Sequence, residues 1–151
     1  MKIYPVVALF AVAATLFATV TTTAQDKKKP VGKPAKAPKE ITTKSGLKYI
    51  EVKVGKGVAA KSGDKVFVHY TGYLTNGTKF DSSIGKSPLD FVIDNSNIIP
   101  GWQEGLKGMK VGGKRKLTIP PALAYGKSGF PPVIPPDATI IFDVELMSIG
   151  K

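Results

Sequence analysis

Beyond residue 40 the chain breaks into short runs of alternating apolar and polar positions, separated by Gly, Pro and Asn. Residues 48–54 set Tyr49, Glu51 and Lys53 against Ile50, Val52 and Val54, the two-residue period of a strand. Residues 65–74 make a longer run, with Val66, Val68 and Tyr70 on one face and Phe67, His69 and Thr71 on the other. Asn76-Gly77, between Leu74 and residues 78–82, predicts a hairpin with a type I′ turn, because Asn-Gly supplies the positive φ angles that turn needs. Residues 114–119 and 140–147 complete a sheet, the second with Ile140, Phe142, Val144 and Leu146 facing one way. Only residues 99–106 read as helical. Pro100 falls near the first helical position, where a missing N–H costs nothing, and Trp102 and Leu106 share a face four residues apart. There is no βαβ alternation and no internal repeat, so the pattern predicts an α+β fold: an antiparallel sheet wrapped on one short helix.

The ends follow other rules. Residues 1–24 read as an export signal: Lys2, an apolar stretch over 6–20, then Thr22-Thr23-Ala24 ahead of a cut before Gln25. The rival is an uncleaved membrane anchor, but residues 3–20 are at the short end for a span and include Pro5. Residues 25–42 are rich in Lys, Pro and Ala, with too few apolar groups to offset ordering entropy, and are expected to be a disordered linker. The folded domain is then 43–151, large enough to be stable without metal or disulfides. The closing Ser148-Ile149-Gly150-Lys151 is not an ER-retention signal, so the expected destination is a bacterial periplasm or the extracellular space.

Charge changes the picture little. The net charge is +11, from 22 Lys+Arg against 11 Asp+Glu, but six lysines between 27 and 39 supply much of it. Arg115 is the one arginine, and arginine is the residue that phosphate and base recognition favour, so specific nucleic-acid binding is not expected. Weak contact with an anionic surface through the linker lysines is expected instead. With no cysteine, thiol, disulfide and zinc-finger chemistries are closed. No dimerisation helix is evident, which makes a monomer the default.

The usual catalytic constellations are missing as well. His69 is the one histidine and sits mid-strand, so no Ser/His/Asp or Cys/His triad can be assembled. The glycine cluster at 105–113 lacks the Gly-x-x-x-x-Gly-Lys-Ser/Thr spacing of a phosphate loop and reads as turn. No metal or other cofactor is implied. What remains is an aromatic and aliphatic set: Tyr70, Phe80, Ile98, Ile99, Trp102, Tyr125, Phe130 and Phe142. Phe130-Pro131-Pro132-Val133-Ile134-Pro135-Pro136 is an apolar, proline-stiffened loop of the kind that borders a binding surface. Asp81 places a carboxylate directly after Phe80.

These residues occur in motifs. His69-Tyr70-Thr71-Gly72, Lys79-Phe80-Asp81-Ser82-Ser83, Ile99-Pro100-Gly101-Trp102, Tyr125-Gly126 and Ile134-Pro135-Pro136-Asp137-Ala138-Thr139, followed by Phe142-Asp143-Val144-Glu145-Leu146, resemble the FKBP-type peptidyl-prolyl cis/trans isomerases over about residues 43–149. The resemblance implies a strongly curved antiparallel sheet around one short helix. It also implies acceleration of X–Pro bond rotation, with proline-containing unfolded or partly folded polypeptides as substrates and macrolides as inhibitors. By the same resemblance Tyr70, Asp81, Tyr125 and Phe142 are the catalytic set. Phe80, Leu89, Ile98, Ile99, Trp102, Phe130 and Ile134 bind substrate, with Trp102 beneath the proline. Tyr125 is expected to donate to a substrate carbonyl, and Asp81 to orient neighbours such as the Tyr70 hydroxyl. Three departures stand out. Leu89 replaces a common Phe, Phe130 replaces the His of some members, and residues 84–87 are short and lack an Arg, which leaves Asp81 without that charge partner. The non-catalytic alternative is the same fold used to hold unfolded chains.

Overall fold

The computed structural model describes residues 38–95 and 97–150. Residues 1–24 and most of the linker lie outside them. Seven strands form one antiparallel sheet: β1 (Glu40–Thr42), β2 (Lys48–Lys53), β3 (Lys65–Leu74), β4 (Lys79–Ser82), β5 (Leu89–Val92), β6 (Lys114–Ile119) and β7 (Ile140–Gly150). The order is β1-β2-β6-β7-β3-β4, and β5 pairs the first half of the β3 edge whose second half pairs β4. Among the described residues one helix, α1 (Pro100–Leu106), lies between β5 and β6 in sequence, and two 3₁₀ turns, Pro121–Leu123 and Gly126–Ser128, join β6 to β7. Among the described residues no helix is long and apolar enough to cross a membrane.

The alternation read from the sequence sorts the two faces. Val66 and Val68 of β3, Leu117 and Ile119 of β6, and Ile140, Phe142, Val144 and Leu146 of β7 are all buried against Trp102 and Leu106 of α1. Register shifts at Glu51/Lys53, Phe67/Val68 and Gly72/Tyr73 insert bulges, which bend and twist strands. The helix sits close because its inward face carries glycines. A Cβ on Gly101 would stand 2.3 Å from Ile119 Cγ2, and one on Gly105 2.7 Å from Leu117 Cδ1. The far end of α1 is held by buried Arg115. Its guanidinium donates to the Gly105 carbonyl (2.6 Å), pairs with Glu51 and lies over the Tyr49 ring at 4.3 Å.

Two local expectations change. The hairpin after β3 has positive φ at Gly77 (87°) but not at Asn76, so it is not a type I′ turn. Gly77 N–H bonds the Leu74 carbonyl, Leu74 N–H bonds the Thr78 carbonyl, and the Asn76 side chain accepts from Thr78 N–H. A three-residue loop ending in a left-handed glycine thus closes a bulged hairpin, the alternative that Asn-Gly equally permits. At the amino end, Glu40–Thr42, placed in the linker by composition, pairs with Lys48–Ile50 as an edge strand. Main-chain pairing holds it, because all three residues are exposed.

Candidate functional site

A cavity of about 170 Å³ opens between α1 and the concave side of the sheet. It is lined by Tyr70 of β3, Phe80 and Asp81 of β4, Leu89 of β5, Asn97, Ile98 and Ile99 before α1, Trp102 of α1, Tyr125, and Phe142 of β7. Strand alternation brings Tyr70 and Phe142 inward, and the start of α1 presents Trp102, only 3% exposed. The Trp102 ring meets Tyr70 at 5.0 Å and Phe142 at 5.1 Å, both edge-to-face, and Phe80 meets Phe142 at 5.6 Å. Such edge-to-face packing fixes ring orientations against one another. Gly72 makes room for two of these rings: a Cβ there would lie 2.6 Å from Phe80 Cζ and 2.7 Å from Phe142 Cε1.

The polar side of the cavity is small and tightly held. Tyr70 donates its hydroxyl to Asp81 Oδ2 at 2.5 Å, while Asp81 Oδ1 accepts from Ser82 N–H at 2.7 Å. No ion pair reaches Asp81 among the described residues, in keeping with the missing Arg. Burial, then the Asp81 hydrogen bond and charge, push the Tyr70 phenol up to about 12. Tyr125 is also raised, by burial first and by the Asp81 carboxylate second. Both phenols therefore stay protonated and able to donate. The backbone of Tyr70 faces the gap where β5 ends and β4 begins. There Ser83 Oγ accepts from Tyr70 N–H (2.9 Å), and Ser82 Oγ and Ser83 N–H donate to the Tyr70 carbonyl (both 3.0 Å). Two serines stand in for the missing ladder bonds and pin the residue that carries the phenol. The β5–α1 wall is held similarly: Gln103 Nε2 donates to the Ile98 carbonyl at 3.1 Å.

Nine of the eleven residues expected at a site line this cavity. Phe130 and Ile134 do not. Phe130 is 59% exposed and packs on the Tyr125 ring at 5.6 Å, while Ile134 is buried in the core. Asn97 lines the cavity and was not foreseen. It is an exposed residue in a polar loop, without periodicity to single it out. His69 is outside the site, with Nδ1 bonded to Ser83 Oγ at 3.0 Å. A larger hollow, about 410 Å³, lies over the outer side of the sheet. Its charges are mutually satisfied, Lys114 by Glu145 at 3.0 Å and Lys116 by Asp143 at 3.6 Å, and only Tyr70 and His69 bring rings to it.

Fold and site together define a class: an α+β protein whose curved sheet and short helix form a small aromatic cavity rimmed by two phenols and a carboxylate. Residues 56–147 match the model of the FKBP-type peptidyl-prolyl cis-trans isomerases. An FK506-binding protein of Neisseria meningitidis serogroup B is 50% identical over 105 residues, covering 69% of this chain and 96% of that protein. FK506-binding protein 4 of Dictyostelium discoideum is 52% identical over 126 residues, covering 83% of this chain and 33% of that protein. The crystal structure of FkpA from Escherichia coli superposes with a TM-score of 0.67 at 52% identity, covering 73% of this chain and 51% of that one. The chain belongs to the FKBP-type peptidyl-prolyl cis-trans isomerase family. It spans about a third of the length of some of the curated relatives it matches, the Dictyostelium discoideum protein among them.

Proposed function

We propose that this chain is a peptidyl-prolyl cis/trans isomerase that turns X–Pro bonds in exported polypeptides. The observation that carries the proposal is the cavity floored by buried Trp102 and walled by Tyr70, Phe80, Ile99 and Phe142, a shape and polarity suited to a proline ring. Rotation about X–Pro faces a barrier of about 18–20 kcal/mol and breaks no bond, so neither nucleophile nor metal is required. The twisted amide has lost resonance, and its carbonyl is less polar than in either planar form. An aromatic cavity favours that state over the planar ones, which is differential binding of the transition state. Tyr125, kept protonated, donates to a carbonyl of the bound chain. Asp81 holds the Tyr70 hydroxyl, so the ring that borders the proline keeps one orientation.

Phe130 and Val133 extend an exposed apolar surface from Tyr125, which supports a further role in holding unfolded segments around the proline. The export setting rests on residues 1–24 alone, and the monomeric state on the absence of a dimerisation helix in the sequence pattern.

The test uses the single tryptophan as reporter and a short X–Pro peptide as substrate. Fluorescence of Trp102 should change saturably with the X–Pro peptide and not with its X–Ala counterpart. Protease-coupled isomerisation of the same peptide should accelerate, and rapamycin should abolish both effects. A folded sample showing neither would overturn the proposal.

A further inference from the structure

The end of the sheet remote from Tyr125 has a different chemistry. Strand β2 runs out through Lys53 into the loop Val54-Gly55-Lys56-Gly57-Val58, which lies against residues 110–113. Gly57 N–H bonds the Val111 carbonyl at 3.1 Å, Val111 N–H bonds the Val58 carbonyl at 3.0 Å, and Ala59 bridges Lys110. The approach is close enough that a Cβ on Gly55 would stand 2.3 Å from the Lys110 carbonyl oxygen. Lys53, Lys56 and Lys110 are thereby gathered at one pole, all exposed. Their neighbours Lys107 and Lys114 are neutralised by Asp94 (2.7 Å) and Glu145 (3.0 Å), but no described carboxylate pairs with these three. Among them stand aliphatic side chains turned to solvent: Val52 is 58%, Val54 64% and Val58 69% exposed.

Bare lysines interleaved with exposed aliphatics suit a surface that is anionic outside and apolar just beneath. We propose that this pole docks the domain on an anionic phospholipid bilayer, with the lysines on headgroups and Val54 and Val58 reaching the acyl boundary. Charge complementarity selects the partner, and the residue types narrow it. The sole arginine is buried on Glu51, and no aromatic ring is among the exposed groups of this pole, so the forks and stacking platforms that nucleic acid uses are missing. Lysine as a point charge beside anionic headgroups adds to attraction without requiring directed geometry. The chain also enters the sheet here: β1 sets Glu40 opposite Ile50, and Lys39 precedes it on the side of Glu51 and Lys53. Placement leaves the site free. Lys114 pairs with Glu145 at the basic end, whereas Leu117 pairs with Phe142 three residues along, about 10 Å toward the cavity. A domain docked by this pole keeps its cavity available to passing polypeptide, and the inference stands whether or not the cavity is catalytic.

The test is co-sedimentation of the full chain with two kinds of vesicle, one of phosphatidylglycerol and phosphatidylcholine in equal parts, the other of phosphatidylcholine alone. Insertion of apolar residues 6–20 would raise binding to both kinds alike, and the linker lysines would favour the anionic kind in every variant, so the pole is read from the difference between parent and variant on anionic vesicles. The parent should prefer the anionic vesicles, and salt should erase the preference. Replacing Lys53→Gln, Lys56→Gln and Lys110→Gln together should weaken partition onto anionic vesicles by roughly a hundredfold, about fivefold per lysine. Val54→Ser with Val58→Ser should weaken it while leaving its salt dependence in place. Thermal unfolding and peptide isomerisation should be unchanged in both variants. Equal partition of parent and lysine variant onto anionic vesicles would overturn the inference. So would retention of duplex DNA by the same three lysines at a salt concentration where vesicles are not bound.

Discussion

At the scale of single residues, the proposed function gives Tyr125 and Trp102 different work in the cavity. Tyr125→Phe removes one hydroxyl from a half-exposed rim position, so kcat/KM should fall about tenfold, the worth of one net hydrogen bond. Its melting temperature should stay where it was. Trp102→Ala empties the floor and should cost about 3–5 kcal/mol of stability together with activity, read by denaturant unfolding. Tyr70 gives a pH dependence. Its phenol is raised from 10.0 to about 12, so the folded state holds that proton more tightly than the unfolded chain. The stability this contributes is complete below pH 10.0 and is lost as pH climbs toward about 12. Unfolding measured across that window should decline more steeply in the parent than in Tyr70→Phe. The contacts at this scale were only partly legible. The Tyr70–Asp81 bond could be anticipated from the motif, but the serines that replace ladder bonds behind Tyr70 could not. Their role exists only because the β5 pairing ends at Val68 and the β4 pairing begins at Thr71, with His69 and Tyr70 of β3 between them.

Among the elements, α1 decides where the cavity floor sits. Gly101 and Gly105, four apart, let the helix lie against Ile119 and Leu117. Gly101→Ala or Gly105→Ala improves helix propensity yet forces the helix off β6, and each should destabilise by about 1–3 kcal/mol. Both should also lower isomerase activity, since Trp102 moves with the helix; calorimetry and the peptide assay check the two effects separately. Arg115 secures the other end. Arg115→Ala leaves Glu51 and the Gly105 carbonyl unpartnered and should cost about 3 kcal/mol. Strands β3, β6 and β7 were legible because each buries one face, which writes a period of two into the sequence. Strand β1 was not, since an edge strand exposed throughout leaves no such pattern. Asn-Gly marked the hairpin correctly, but the dipeptide serves two turn geometries and does not choose between them.

For the whole molecule, polarity is the organising feature: an aromatic cavity toward one end of β6 and β7, unpaired lysines and exposed valines toward the other. The cavity was legible as a set of aromatics, and through family motifs as a site. The basic pole was not, because Lys53, Lys56 and Lys110 are far apart in sequence and meet only when the 54–58 loop packs on 110–113. On the proposed function, the cavity lowers the barrier to X–Pro rotation without favouring either isomer. Exchange between the cis and trans proline signals of a short peptide, followed by NMR at equilibrium with a trace of the purified chain, tests this most directly. The exchange rate should rise while the cis-to-trans ratio stays fixed, and rapamycin should restore the uncatalysed rate. An unchanged rate from folded protein would contradict catalysis. A changed isomer ratio at stoichiometric protein without faster exchange would show a cavity that binds one isomer and does not turn it over.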